Sequence, residues 1–263
     1  MSRSFRFSHA ITRVPAHSAV DGLRAEDVGA PDIDLFRSHH ADYIAALRST
    51  GAEIVELPAL EAFPDSCFVE DAALCLPEGA ILTRPGAPSR LGEAAEMRPS
   101  LEALYGDVRA IEGPGFLEAG DVLVTEREIL VGLSARTDEA GADELARLVA
   151  DWGWTVRIVR TPPDVLHFKT DCSLLDETTI LSTERLTRSG CFDGYDLIFT
   201  AEGEEACANA IRFNDLVLFP AGFPKTAARL RDAGYDVREI GNSEAAKLDG
   251  GMSCLSLRFS PPA

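Results

Sequence analysis

Cys254 closes the run Asp249-Gly250-Gly251-Met252-Ser253-Cys254. The two glycines ahead of it allow close approach of a ligand and leave backbone N–H groups open to it. A thiol reacts as its thiolate, so it needs a base or a cation beside it. An imidazole in turn needs an orienting carboxylate. His167, in His167-Phe168-Lys169-Thr170, is the one imidazole near a comparable strand end. Carboxylates stand at similar places: Asp65, Glu70 and Asp71 in one stretch, Glu118 and Asp121 in Leu117-Glu118-Ala119-Gly120-Asp121. Brought together, these are the parts of a cysteine-dependent nucleophilic site.

Each residue also has a plainer reading. His167 alone fits a structural histidine, Cys254 a small buried hydrophobe, and Glu118 an exposed strand carboxylate. Cys172 is a rival thiol, close to His167 in sequence. Five residues of strand span ~16 Å, however, out of hydrogen-bonding reach. Cys67, Cys75, Cys191 and Cys207 read as structural, and no C-x-x-C pair occurs. Scattered cysteines in a chain this long imply reduced thiols and a cytoplasmic location. A metal site is not expected: there are only five histidines, and the adjacent His39 and His40 would sit ~100° apart on a helix. Nucleophile-elbow, Walker A and dinucleotide-binding patterns are missing.

The elements that must position these groups repeat. Residues 68–74 and 80–84, 116–123 and 128–132, and 167–174 and 179–182 each read as an apolar strand with a polar or acidic end, then a second strand. Residues 210–218 form a weaker copy. Asp71, Asp121 and Asp171 are spaced by 50 and 50, a period that signals repeated supersecondary units. Helical spacing follows most pairs, as in Leu145, Leu148 and Trp152 before Gly153, and then another short strand. The unit is ββαβ. Strand 10–14, a helix with Phe36, Tyr43, Ile44 and Leu47 on one face, strand 54–57 and the last strand 254–259 supply a fifth unit from both termini. Five units closing on themselves predict an α/β fold, a five-bladed pseudosymmetric propeller without a free sheet edge. No linker-like stretch interrupts it, so residues 1–263 are expected to form one domain.

The chain carries 25 Lys+Arg against 43 Asp+Glu, a formal charge of −18. That balance excludes nucleic acid and an anionic membrane surface as partners. No apolar run approaches the ~18 residues of a spanning helix. A small cationic substrate suits the charge, and oligomer formation is left open.

Residues 68–71 and 81–90 (with Thr83-Arg84-Pro85-Gly86-Ala87-Pro88-Ser89-Arg90), 117–123, 131–137, 167–170 and 249–254 occur in an order that resembles the dimethylarginine dimethylaminohydrolases, across nearly the whole chain. The resemblance implies the same five-bladed propeller and a hydrolase converting Nω-methylated arginines to citrulline and an alkylamine, without metal or cofactor. It implies Cys254 as nucleophile, His167 as acid and then base, and Glu118 as its orienting carboxylate. Asp71 would hold the guanidinium, with Asp65 and Glu70 completing an acidic pocket. Arg90 and Arg136 would grip the α-carboxylate, and Leu23, in a lid loop hinged at Gly22, would contact substrate through its backbone. The alternatives are a relative that releases ammonia from arginine or another guanidine, and a non-catalytic propeller that binds a guanidino compound.

Overall fold

The computed structural model describes residues 2–262. It contains five three-stranded sheets. In chain order their strands are Leu257–Phe259, His9–Arg13 and Glu53–Leu57; Ala73–Cys75, Ala80–Leu82 and Val108–Ala110; Val122–Val124, Ile129–Leu133 and Val156–Arg160; Cys172–Leu174, Thr179–Ser182 and Asp196–Phe199; Ile211–Phe213, Leu216–Pro220 and Asp236–Ile240. Every sheet has one plan: a short first strand pairs antiparallel with the middle strand, which pairs parallel with the third. The parallel step requires a crossover, and helices provide it, among them Ile33–Arg48, Glu139–Val149 and Pro224–Asp232. The first strands of all five sheets line one central cavity, so the sheets stand as blades around an axis. In the first blade the C-terminal strand pairs with the N-terminal one, His9 opposite Phe259.

The helices form where their spacing puts apolar residues on one face. Phe36, Tyr43, Ile44 and Leu47 are buried along Ile33–Arg48, and the Asp32 side chain caps its start by accepting from the N–H of Asp34 and Leu35. Burial of each such side chain contributes about 1.5–3 kcal/mol. In the third blade the last turn ends at Gly153, φ 81°, the left-handed conformation a β-carbon disfavours.

Three expectations differ from what is found. The acidic motifs do not end strands; they ride on 3-10 turns, Val69–Ala72, Ala119–Asp121, Phe168–Thr170 and Ser253–Leu255, that lead into three-residue inner strands. Cys254 is therefore on a turn, and the last strand starts only at Leu257. The reason is hydrogen bonding between blades: Asp71 Oδ1 accepts from Gly120 N at 3.0 Å, and Asp121 Oδ1 from Phe168 N at 2.8 Å. The first two acids of the 50-residue period thus tie one turn to the next, whereas Asp171 bonds Thr183 and Arg185 of its own blade. Closure also leaves sheet edges, because the five sheets stay separate; the inner edges are short and face one another across the cavity. In the fourth blade the crossover helix is a single turn, Glu184–Thr187, too short to show a helical period. No helix among the described residues is long and apolar enough to cross a membrane.

Candidate active site

At the end of the axis where the 3-10 turns meet, a cavity of about 140 Å³ is lined by Leu23, Asp65, Asp71, Arg90, Arg136, His167 and Cys254, among others. Residues nearly two hundred positions apart converge because each blade contributes the same turn. Glu118 lies directly beneath this cavity, fully buried. Its Oε2 is 2.6 Å from His167 Nε2, and its Oε1 accepts from Gly86 N at 3.0 Å and Ala87 N at 3.3 Å. Arg136 Nη1 is 3.5 Å from the same oxygen. One carboxylate thus fixes both the imidazole and the 83–90 segment.

The charges follow from these contacts. Burial disfavours charge on His167, but Asp71, Glu118 and Asp121 around it outweigh burial and push its pKa up to about 9. Burial likewise opposes ionisation of Glu118, yet the His167 hydrogen bond and charge, with Arg90 and Arg136, hold it down to about 2. At neutral pH the pair is imidazolium and carboxylate. Burial, followed by Asp71 and Glu70, raises Cys254 to about 12, so at rest it is a thiol. Asp71, Glu118 and His167 bring ligand atoms within 4.8 Å of one another. Within that group the short contact is the one between His167 and Glu118.

Asp71 is held rigidly. Arg90 Nη1 donates to its Oδ2 at 2.6 Å, and its Oδ1 lies 4.0 Å from His167 Nε2. A carboxylate has about four acceptor sites, so further donors can still be bound. Arg90 is only 4% exposed, and protein groups take up most of its donors. Nε and Nη2 bond Glu93 at 2.8 and 2.6 Å, and Nη2 also reaches Phe68 O at 3.0 Å. One Nη1 N–H has no partner among the described residues. Arg136 is the more open of the two guanidiniums. Asp65, whose pKa burial raises, accepts the Leu23 N–H at 2.9 Å. That leaves the Leu23 carbonyl for any contact with a ligand.

Glu70 departs from expectation: it does not line this cavity but a separate one further along the axis. It is bonded there by Lys169 at 2.6 Å, Arg258 at 2.5 Å and Ser253 Oγ at 2.6 Å. On a 3-10 turn adjacent side chains diverge, so Glu70 and Asp71 serve different cavities. Gly22 has ordinary dihedrals, φ −60° and ψ 155°. Its lack of a β-carbon matters for space, since one would stand 3.1 Å from both Ala19 O and Asp65 Oδ1. Gly250 and Gly251 make room for protein, not ligand: a β-carbon would meet the Phe68 ring at 2.4 Å and the Asn209 side chain at 2.2 Å.

Sequence reasoning passed over Asn209. Its Nδ2 lies 3.8 Å from Cys254 Sγ, its Oδ1 accepts from Ser253 N at 2.9 Å, and Gly251 N donates to the same sulfur at 3.4 Å. It stands two residues before its inner strand, as Asp71 does, so the weak repeat copy held the signal. Asp249 was also missed; its carboxylate accepts from Ala25 N at 2.6 Å, which fastens the 22–25 segment over the site. Cys172 is buried away from the cavity and bonds Phe168 O at 3.3 Å.

The arginine deiminase family model matches residues 63–196. A dimethylarginine dimethylaminohydrolase of Pseudomonas aeruginosa is 40% identical over 96% of this chain and all of its own length. One from Streptomyces coelicolor is 34% identical over 82% of this chain and 83% of that protein. Among solved structures, a cysteine-to-serine variant of the Pseudomonas enzyme complexed with citrulline superposes with a TM-score of 0.94 over 97% of this chain and all of that one. A histidine-to-glycine variant of a dimethylarginine dimethylaminohydrolase, as an adduct with S-methyl-L-thiocitrulline, gives 0.93 over 96% and 100%. Both share 40% of their residues with this chain.

Proposed function

The chain belongs to the dimethylarginine dimethylaminohydrolase family, and on that premise we propose that Cys254, His167 and Glu118 hydrolyse Nω-methylated arginines to citrulline and methylamine or dimethylamine. The observation that carries the assignment of roles is the shared cavity of Cys254 and His167, with Glu118 bonded to the imidazole at 2.6 Å. A guanidinium is resonance-stabilised and a poor electrophile. It binds against Asp71 by charge-assisted hydrogen bonds. Its positive charge offsets the carboxylates that hold the Cys254 proton, so the thiol ionises to solvent as substrate enters. Gly251 N–H and the Asn209 amide support the sulfur anion.

The thiolate adds to the guanidinium carbon. His167, protonated at neutral pH, gives its proton to the departing amine, and a thiouronium remains on sulfur. Neutral His167 then takes a proton from water as that water adds to the same carbon. Collapse releases the urea group of citrulline and the thiolate. Glu118 keeps the ring oriented and stabilises its cationic form, which the proton taken from water restores. Arg136, with the remaining Arg90 N–H, receives the substrate α-carboxylate, and Asp65 with the Leu23 carbonyl receives the α-amino group. We place the described residues 2–262 of the expected 1–263 in one propeller domain, because the first blade pairs strand His9–Arg13 with strand Leu257–Phe259; residues 1 and 263 lie outside the described residues. The six free cysteines suit a reducing cytoplasm.

The test is paired assay of citrulline and free amine with arginine, monomethylarginine, dimethylarginine and agmatine. Equal amounts of citrulline and dimethylamine from dimethylarginine are expected. Ammonia from arginine as the dominant product would replace this reading with the deiminase one.

A further inference from the structure

The second axial cavity, about 90 Å³, shares no lining residue with the first. The middle residues of the five inner strands, Leu74, Leu123, Ser173, Arg212 and Arg258, all line it. Pseudosymmetry therefore gives a ring with an apolar arc and a polar arc. Four cationic side chains line the cavity, Arg3, Lys169, Arg212 and Arg258, against one carboxylate, Glu70. Lys169 and Arg258 share Glu70, and Arg3 lies over the Trp154 ring with Glu78 at 3.9 Å, so Arg212 is the lining cation left without an ion pair among the described residues.

The polar groups of the ring are under-used. Ser173 is 4% exposed and its Oγ has no hydrogen-bond partner; a buried polar group left so costs free energy until something binds it. Arg212 forms no ion pair among the described residues. Its Nε donates to Asn214 O, its guanidinium carbon lies 5.5 Å from the Tyr235 ring centroid, and neither Nη has a hydrogen-bond partner among the described residues. Lys169 Nζ has one bond, to Glu70 at 2.6 Å, for its three donors. A water needs only ~15 Å³ of such volume, so the cavity has room for a four-oxygen anion.

We propose that this channel binds a small oxyanion of the phosphate or sulfate type, held by Arg212, Lys169 and the Ser173 hydroxyl. Planar guanidinium donors, an ammonium and a hydroxyl match the oxygens of such an ion. The site is separate from the substrate pocket, with which it shares no lining residue.

The experiment is calorimetric titration of the full chain with inorganic phosphate, ionic strength being held with the bulkier HEPES anion. A saturable one-to-one isotherm is expected, unchanged by saturating citrulline. Arg212→Gln should weaken it by about tenfold or more, and Ser173→Ala measurably, while both keep wild-type kcat/KM on methylarginine. Absence of a saturable isotherm, displacement of phosphate by citrulline, or unchanged affinity in both variants would overturn the proposal.

Discussion

His167 and Cys254 rest in opposite states of readiness. The imidazole already holds the proton that the leaving amine needs, with a pKa near 9, whereas the thiol sits near 12. Catalysis then loses its acid above pH 9, and the alkaline limb of kcat should fall there. Glu118→Gln leaves only a neutral acceptor and removes one of the charges that raise His167, so that limb should move to lower pH; an unmoved limb would detach Glu118 from this role. The same pair bears on stability. His167, raised from 6.5, stabilises the fold fully below pH 6.5 and loses that contribution as pH rises through about 9. Glu118, lowered from 4.5, contributes above pH 4.5 and loses it as pH falls through about 2. The melting-temperature gap between wild type and Glu118→Gln should therefore narrow above pH 9. Most of these residues were legible in the sequence because motifs carry them. Asn209 was harder to read, since its one signal is its place two residues ahead of the inner strand in the weakest repeat copy. Asn209→Ala should slow turnover while substrate binding changes little, and should slow alkylation of Cys254 at a given pH. Equal loss in Asn209→Ala and Asn209→Gln of folding, with no change in alkylation, would mark the residue as packing only.

At the scale of elements, the repeat was legible because an acid recurs every 50 residues and apolar strands flank it. What each acid does was not, because the sequence carries no mark of a 3-10 turn. Asp71 and Asp121 face the neighbouring turn and hold its backbone N–H. Glu70 and Asp71 divide between two cavities for the same reason. The Asp249–Cys254 loop shows how tightly these turns fit: Gly251 stands where a β-carbon would overlap Asn209 at 2.2 Å. Gly251→Ala should cost about 1–3 kcal/mol in chemical denaturation and displace the sulfur from its donors. A variant as stable and active as wild type would mean that the loop has slack the structure does not show.

For the whole molecule, the charge of −18 suits a small cationic substrate but identifies none. The acids that matter are few and are set by convergence: Asp65 and Asp71 at the first turn, Glu118 at the second, with His167 and Cys254 from two further blades. A chain whose termini share a sheet can bring residues so distant into one cavity. The central claim, that Cys254 attacks and His167 serves both proton transfers, is tested most directly by trapping. S-methyl-L-thiocitrulline carries a thiolate leaving group that departs without an acid, whereas hydrolysis of the resulting adduct still needs a base. His167→Ala treated with it should accumulate a covalent adduct, located by peptide mass spectrometry on Cys254. No adduct, or an adduct on Cys172, would contradict the account.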